Sequence, residues 1–295
     1  MKLAVANLAT LSARPRLFVI DAAGAADLTL YLSVEPHSEL GLYADVGTFL
    51  ARGPDALSVA KRCLESSTER IPITALEWCA PIAQPRKLLG VGMNYHSFVA
   101  AAREIGIPIP VDRVWFLRPQ HCVTGPRSDI CLPHGATDLD YEAELAIVIG
   151  RTCRNVAASE ARGYIAGYTT ANDFTLRGRV PKSLVLAKSF QTHTPLGPWI
   201  VVTDELPDPN DLKIKAWVNG RLRQSSTTAE MIARCDELVA ELSASLTLEP
   251  GDVILTGTPN GCGIFDRPPA ALRAGDVVTV EIEGIGTIEN RIVPE

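Results

Sequence analysis

A continuous apolar run, Leu145-Ala146-Ile147-Val148-Ile149, ends in Gly150 and is entered through two glutamates one residue apart, Glu142 and Glu144. A short run of branched apolar residues closed by glycine predicts a strand buried on both faces, which fits only inside a layered fold with a large sheet. Side chains two apart on a strand share a face, so both carboxylates are predicted to aim into one place at the edge of that sheet. Unpaired anions are costly to remove from water there, and a divalent cation is the simplest relief. The ordinary fate of an isolated Glu-x-Glu pair is a solvated strand face. The neighbouring segments decide between the two.

Composition narrows the partners. A chain of 295 residues, 46% apolar and 21% charged, has enough material for one large globular domain and a small one. A net charge of -6 with no Lys/Arg cluster argues against a nucleic-acid or membrane surface and leaves small molecules as the expected partners. Seven scattered cysteines, without zinc or redox spacing, read as reduced thiols of a cytoplasmic protein. No apolar run approaches the ~20 residues of a membrane span. The start reads as a first strand, because Asn7 and Thr10 interrupt any leader-like stretch.

The predicted class is α+β, mainly β. Residues 1–78 form a small N-terminal α/β cap domain with strand-like runs at Leu17–Ile20 and Leu28–Leu32 and helical patterning from Val46 to Leu64. A seam lies at Pro81–Pro85, and residues 79–295 form the second domain, beginning with the strand that ends at Gly92. Beyond residue 195 the runs at 199–202, 213–218, 253–256 and 277–282 predict strands, with Asn219-Gly220 as a hairpin turn. The capping-box pattern Thr227-Thr228-Ala229-Glu230 predicts a helix running on through Leu242, with Met231, Ile232, Cys235, Leu238 and Val239 on its packed face.

About thirty residues after the glutamates, Asp173 follows a predicted strand in a polar turn and is the candidate third carboxylate. With the motifs Gly92-x-Asn94-Tyr95, Tyr141-Glu-x-Glu-Leu145, Gly167-Tyr-x-x-x-Asn-Asp173, Lys188-Ser-Phe190, Pro195-Leu-Gly-Pro-Trp199, Val218-Asn-Gly220 and Thr256-Gly-Thr-Pro259 in that order, residues from about 80 to 295 resemble the fumarylacetoacetate hydrolase family. The resemblance implies a mixed β-sandwich roll with a metal-centred site, usually a homodimer, acting on 2-oxo acids or 1,3-dicarbonyl compounds. It also implies Glu142, Glu144 and Asp173 as metal ligands, with Lys188 and Thr258 lining the substrate pocket. Tyr95 and Gln191 are further substrate-contact candidates, and Arg177 either braces Asp173 or meets substrate. Three carboxylates without His or Cys favour a hard cation, Mg²⁺ or Mn²⁺, and leave about three of six octahedral positions open for a chelating substrate and water. Such a cation would offset the charge of an enolate leaving group, while Lys188 neutralises charge on the substrate.

The pattern breaks at one place. Hydrolytic and decarboxylating members similar to this chain carry Asn-Tyr-x-Asp-His-x-x-Glu on a lid helix, where His and Glu activate water; here Ser97, Phe98 and Ala101 stand at the Asp, His and Glu positions. If residues 95–105 form a helix ended by Gly106, Glu104 is the first candidate for a general base and His96 the second. For each, the plain alternative is a solvated side chain or a helix cap. His121, His134 and His193 lack paired spacing and read as structural. The functional expectation is a metal-dependent hydrolase cleaving a C–C bond of an acylpyruvate-type substrate. An isomerase, tautomerase or decarboxylase on a 2-oxo dicarboxylic acid is the close alternative, and a metal-binding scaffold without turnover the distant one.

Overall fold

The computed structural model describes residues 1–8, 14–34 and 45–295. The glutamate-led run forms the strand Ala143–Ile149, with every residue buried. It lies inside an eleven-stranded sheet whose path runs Gly24–Asp27, Arg16–Asp21, Lys2–Leu8, Thr194–Val202, Ile165–Asn172, Ala143–Ile149, Val253–Leu255, Leu88–Gly92 and Val114–Arg118. Most neighbours are antiparallel, but Val253–Leu255 and Leu88–Gly92 run parallel. A second sheet of five strands is ordered Arg221–Thr227, Lys213–Val218, Val277–Ile282, Gly286–Pro294 and Ile130–Leu132. The fold is α+β and mainly β.

Alternation along Ala143–Ile149 serves two cores. Leu145, Ile147 and Ile149 face a cluster shared with Ile214, Val278, Val280 and Ile288 of the second sheet, whereas Ala146 and Val148 face one shared with Leu3, Phe49, Leu50 and Val59. The N-terminal segment is thereby built into the main sheet: Leu3 pairs with Ile200, and the helices Val46–Leu50 and Ala56–Ser66 cover the sheet face that bears Ala146 and Val148. The predicted boundary between 78 and 79 is crossed by these hydrogen bonds and by this core. The row Ala146, Val148 continues backwards to Glu144 and Glu142, so the carboxylates occupy the uncapped end of that same face.

Two local predictions are corrected. Leu28–Val34 is a helix, not a strand: the Asp27 carboxylate accepts the Leu30 N–H at 2.8 Å, and Leu28 and Leu32, one turn apart, are the residues it buries. The helix placed at Thr227 starts later, at Cys235, and runs to Ser245. Thr227 remains paired with Lys213 in the sheet and caps only the short turn Thr228–Glu230, while Glu237 accepts the Arg234 N–H at 2.8 Å to start the true helix. Leu238, Val239 and Leu242 are buried as expected, but Ile232 is exposed. The Asn219-Gly220 turn forms between Lys213–Val218 and Arg221–Thr227 with φ of 51° and 74°. No helix among the described residues is long and apolar enough to cross a membrane.

Candidate metal and substrate site

Three strand ends build the site. Ala143 pairs with Asn172 and Glu144 with Ala171, so the ladder between Ala143–Ile149 and Ile165–Asn172 terminates with Glu142 opposite Asp173. The Asp173 N–H donates to the Glu142 carbonyl at 2.9 Å, and the Asn172 Oδ1 accepts the Glu142 N–H at 2.9 Å. On the other flank the strand Val253–Leu255 passes into Gly257, whose N–H donates to Glu144 Oε2 at 2.7 Å. Gly257 has φ +89°, and a Cβ there would lie 2.9 Å from the Asn94 Cβ, so both its backbone angle and its closeness to residue 94 call for glycine. One oxygen each of Glu142, Glu144 and Asp173 lies within 4.8 Å of the others, and all three residues are buried.

The sequence's other cationic candidates join this cluster. Lys188, at the end of the helix Leu184–Lys188, donates to Glu142 Oε2 at 2.9 Å, to Thr175 Oγ1 at 2.8 Å and to Asp173 Oδ2. Arg177 pairs with Glu142 Oε1 at 2.6 Å and Asp140 Oδ2 at 2.8 Å, so it braces Glu142 rather than Asp173, and its buried Nη2 has no hydrogen-bond partner among the described residues. Arg118, fully buried at the end of the edge strand, pairs with Asp173 and donates to the His193 carbonyl at 3.2 Å.

Charge in this cluster is unevenly satisfied. Four carboxylates, of Asp140, Glu142, Glu144 and Asp173, face three cations. Burial alone would raise the Glu142 pKa, but Lys188 and Arg177 hold it below the usual carboxylate range. Glu144 pairs with no cation among the described residues; burial, reinforced by the Glu142 anion, pushes its pKa up to about 8. Burial pulls the Lys188 pKa down, against the attraction of Glu142. An all-oxygen donor set carrying one uncompensated carboxylate is what a hard dication requires, and the residues present therefore fit Mg²⁺ or Mn²⁺.

The remaining candidates are placed unevenly. Thr258 is buried next to the triad on the Gly257 turn, and Tyr95 is buried with its hydroxyl unpartnered, close enough to Glu144 for that carboxylate to raise its pKa further after burial has done so. The helix predicted from Tyr95 forms as His96–Glu104. Its buried side, Phe98, Val99, Ala101 and Ala102, faces the protein, while His96 and Glu104 are exposed and make no hydrogen bond or ion pair to the triad. Gln191 is likewise exposed and apart. Phe98 stacks edge-to-face on Phe265, with ring centres 4.9 Å apart. His193 is buried, its Nε2–H donating to the Cys131 carbonyl at 2.9 Å, and burial draws its pKa down to about 4.

Sequence reasoning missed four residues. Arg118 sits in the plain segment Phe116-Leu117-Arg118-Pro119, and its strand lies four places along the sheet path from Ile165–Asn172, so only the tertiary fold brings it to Asp173. Asp140 accepts the N–H groups of Gly263 and Ile264 at 2.7 and 3.1 Å besides binding Arg177. Asn94 ties the helix start to the Thr256 carbonyl at 2.9 Å and to Ala233. Gln224 links the glutamate strand to the Thr258 turn. Gln224 lies in the polar run Arg221-Leu-Arg-Gln-Ser-Ser-Thr227, where nothing sets it apart from its neighbours, and Arg118 likewise carried no signal.

Set beside known proteins, residues 87–293 match the fumarylacetoacetate (FAA) hydrolase C-terminal family profile, and the chain belongs to the fumarylacetoacetate hydrolase family. It is 41% identical to the mitochondrial oxaloacetate tautomerase FAHD2B of Bos taurus, over 83% of this chain and 78% of that protein. Among solved structures, the fumarylacetoacetate hydrolase of psychrophilic Exiguobacterium antarcticum superposes with a TM-score of 0.81 at 31% identity, covering 100% of both chains. Maleylpyruvate hydrolase from Sphingobium sp. SYK-6, in complex with manganese(II) ion and pyruvate, gives 0.80 at 28% identity over 100% of this chain and 99% of that one. The chain thus shares an enzyme family whose members include tautomerases, isomerases and hydrolases.

Proposed function

We propose that this chain is a divalent-metal-dependent keto–enol tautomerase of a 2-oxo dicarboxylic acid, with Glu142, Glu144 and Asp173 holding Mg²⁺ or Mn²⁺. The observation that carries the choice is the packing of the lid helix. Where hydrolytic relatives place a water-activating His and Glu, this chain has Phe98 packed on Phe265 and Ala101 turned into the protein, so aromatic packing fills the place of the base pair. Moving a proton between carbon and oxygen needs no attacking water, whereas hydrolysis does. Sequence reading alone ranks C–C hydrolysis first; this packing reverses that order. Kinship with oxaloacetate tautomerases supports a four-carbon 2-oxo dicarboxylate as the substrate.

When bound, the cation would act as a Lewis acid that lowers the cost of placing negative charge on the substrate's oxo oxygen. The chain's own groups do the rest. Glu142 and Asp173 are held in place by Lys188, whose ammonium donates to both and to Thr175 Oγ1. Arg177 fixes Glu142 from the other side and keeps an unpartnered Nη2 for an anionic substrate group. Phe98 and Phe265 give the lid side an apolar edge-to-face contact in place of a water-activating pair.

C–C hydrolysis of an acylpyruvate-type substrate is the second reading, favoured by the end-to-end likeness to maleylpyruvate hydrolase. A scaffold without turnover is disfavoured because buried, partly uncompensated carboxylates are costly to keep. The test is to follow loss of enol-oxaloacetate absorbance with Mg²⁺ present, with EDTA added, and with Glu142→Ala, while assaying products. Rapid ketonisation that EDTA and the variant abolish supports the tautomerase; release of two products from acylpyruvates without ketonisation transfers support to the hydrolase.

A further inference from the structure

Gln224 sits midway along Arg221–Thr227, an edge strand of the second sheet, is fully buried, and touches both the glutamate strand and the Thr258 turn. Its Oε1 accepts the Ala143 N–H at 3.0 Å, between the two glutamates, and its Nε2 faces Thr258 Oγ1 at 2.8 Å, the Pro259 carbonyl at 2.9 Å and the Cys262 sulfur at 3.5 Å. These partners fix the orientation of the amide. An N–H can only be met by the amide oxygen, and a carbonyl only by the amide nitrogen. The second Nε2 hydrogen goes to the Thr258 hydroxyl oxygen at 2.8 Å, a nearer and stronger acceptor than the Cys262 sulfur at 3.5 Å. A hydroxyl that accepts from Gln224 keeps its own hydrogen free, and no protein acceptor takes it among the described residues.

We propose that Gln224 is a positioning residue that directs the Thr258 O–H outward, so that Thr258 serves as a donor to an oxygen of the bound 2-oxo acid. The inference rests on the functional reading above and deepens it by assigning a polarity to the pocket: Thr258 offers a hydrogen and selects an acceptor, a carboxylate or oxo oxygen, over a hydroxyl that must donate. The neighbouring Gly257 N–H is already committed to Glu144, so the turn divides its donors between ligand carboxylate and substrate.

The test measures the affinity of oxalate, a small chelating dianion, in the presence of saturating Mn²⁺, for wild type, Gln224→Met, Thr258→Val and the double variant, with Mn²⁺ affinity measured separately. Losing one donor to a charged acceptor is expected to weaken oxalate about tenfold in each single variant. The double variant should be no weaker than Thr258→Val alone, and Thr258→Val should bind Mn²⁺ within about twofold of wild type. Multiplicative losses in the double variant would overturn the proposal, since they would mean Gln224 acts independently of Thr258. If Gln224→Met fails to fold, Gln224→Glu, which keeps the acceptor for Ala143 but presents no donor to Thr258, carries the same expectation, and unchanged oxalate affinity overturns it. A wild type that binds Mn²⁺ but not oxalate would instead remove the functional reading itself, and this proposal with it.

Discussion

The carboxylate cluster and the lid helix both meet the turn at residues 256–260, yet they are held by different physics. Glu142, Glu144 and Asp173 emerge from adjacent strands whose register leaves no freedom: shifting either strand by one residue would turn the carboxylates into the opposite core. Each is then gripped by a cation or a backbone N–H. The helix His96–Glu104 is tied down at its start, through Asn94 and Ser97, and by an apolar face, while its polar side meets solvent. Preorganised charge thus sits on the sheet, and the lid supplies shape. Chemistry that depends on fixed charge belongs to the first region, and variants should follow that division.

The largest effects are expected at the sheet. Glu142→Ala and Glu144→Gln should each lower turnover by at least about a thousandfold, since several kcal/mol of charge stabilisation is lost with the cation. Steady-state ketonisation rates check this, and a loss below tenfold would move the chemistry elsewhere. Asp173→Ala should also unfold the protein more easily, by about 3–5 kcal/mol in chemical denaturation, because it strands the buried Arg118. Glu144→Gln strands no cation and should leave stability within about 1 kcal/mol. Equal losses for the two would erase the distinction between braced and unbraced carboxylates.

His193 separates folding from catalysis. Its folded pKa, about 4, lies below the ordinary 6.5, so the unfolded chain takes up the proton first as pH falls. Stability from this group is complete above pH 6.5 and is lost as pH drops toward 4, a contribution on the order of 3 kcal/mol. Denaturation midpoints measured from pH 7 to 4 for wild type and His193→Asn should converge at the acid end; parallel curves would contradict the assignment. The smallest effects are expected on the lid. Glu104→Gln and His96→Asn should alter kcat by less than about threefold, under 1 kcal/mol, because neither contacts the triad. A hundredfold loss for Glu104→Gln would bring the lid into the proton transfer and favour hydrolysis.

Much of this arrangement was legible in the chain because strand signals are local. The Glu-x-Glu entrance to an apolar run, the Asn219-Gly220 turn and the glycine after Glu104 each carry their conformation in two or three residues. Leu28-Thr-Leu-Tyr-Leu32 misled because branched and aromatic residues favour strands, whereas the outcome was decided by a distant core that takes Leu28 and Leu32 one helical turn apart and by the Asp27 cap. Arg118 and Gln224 could not be placed, since their partners lie 55 and 34 residues away and meet them only through strand order and sheet packing. Missing motif residues were legible as a departure, but only the Phe98–Phe265 contact showed what replaced them.

The most direct measurement is a Mn²⁺ titration followed by electron paramagnetic resonance on wild type and Glu144→Gln after removal of bound metal. One saturable ion per chain in wild type, lost in the variant while its fold is retained, is the predicted result. Unchanged Mn²⁺ affinity in Glu144→Gln, or no bound ion in wild type, would contradict a site built from these three carboxylates.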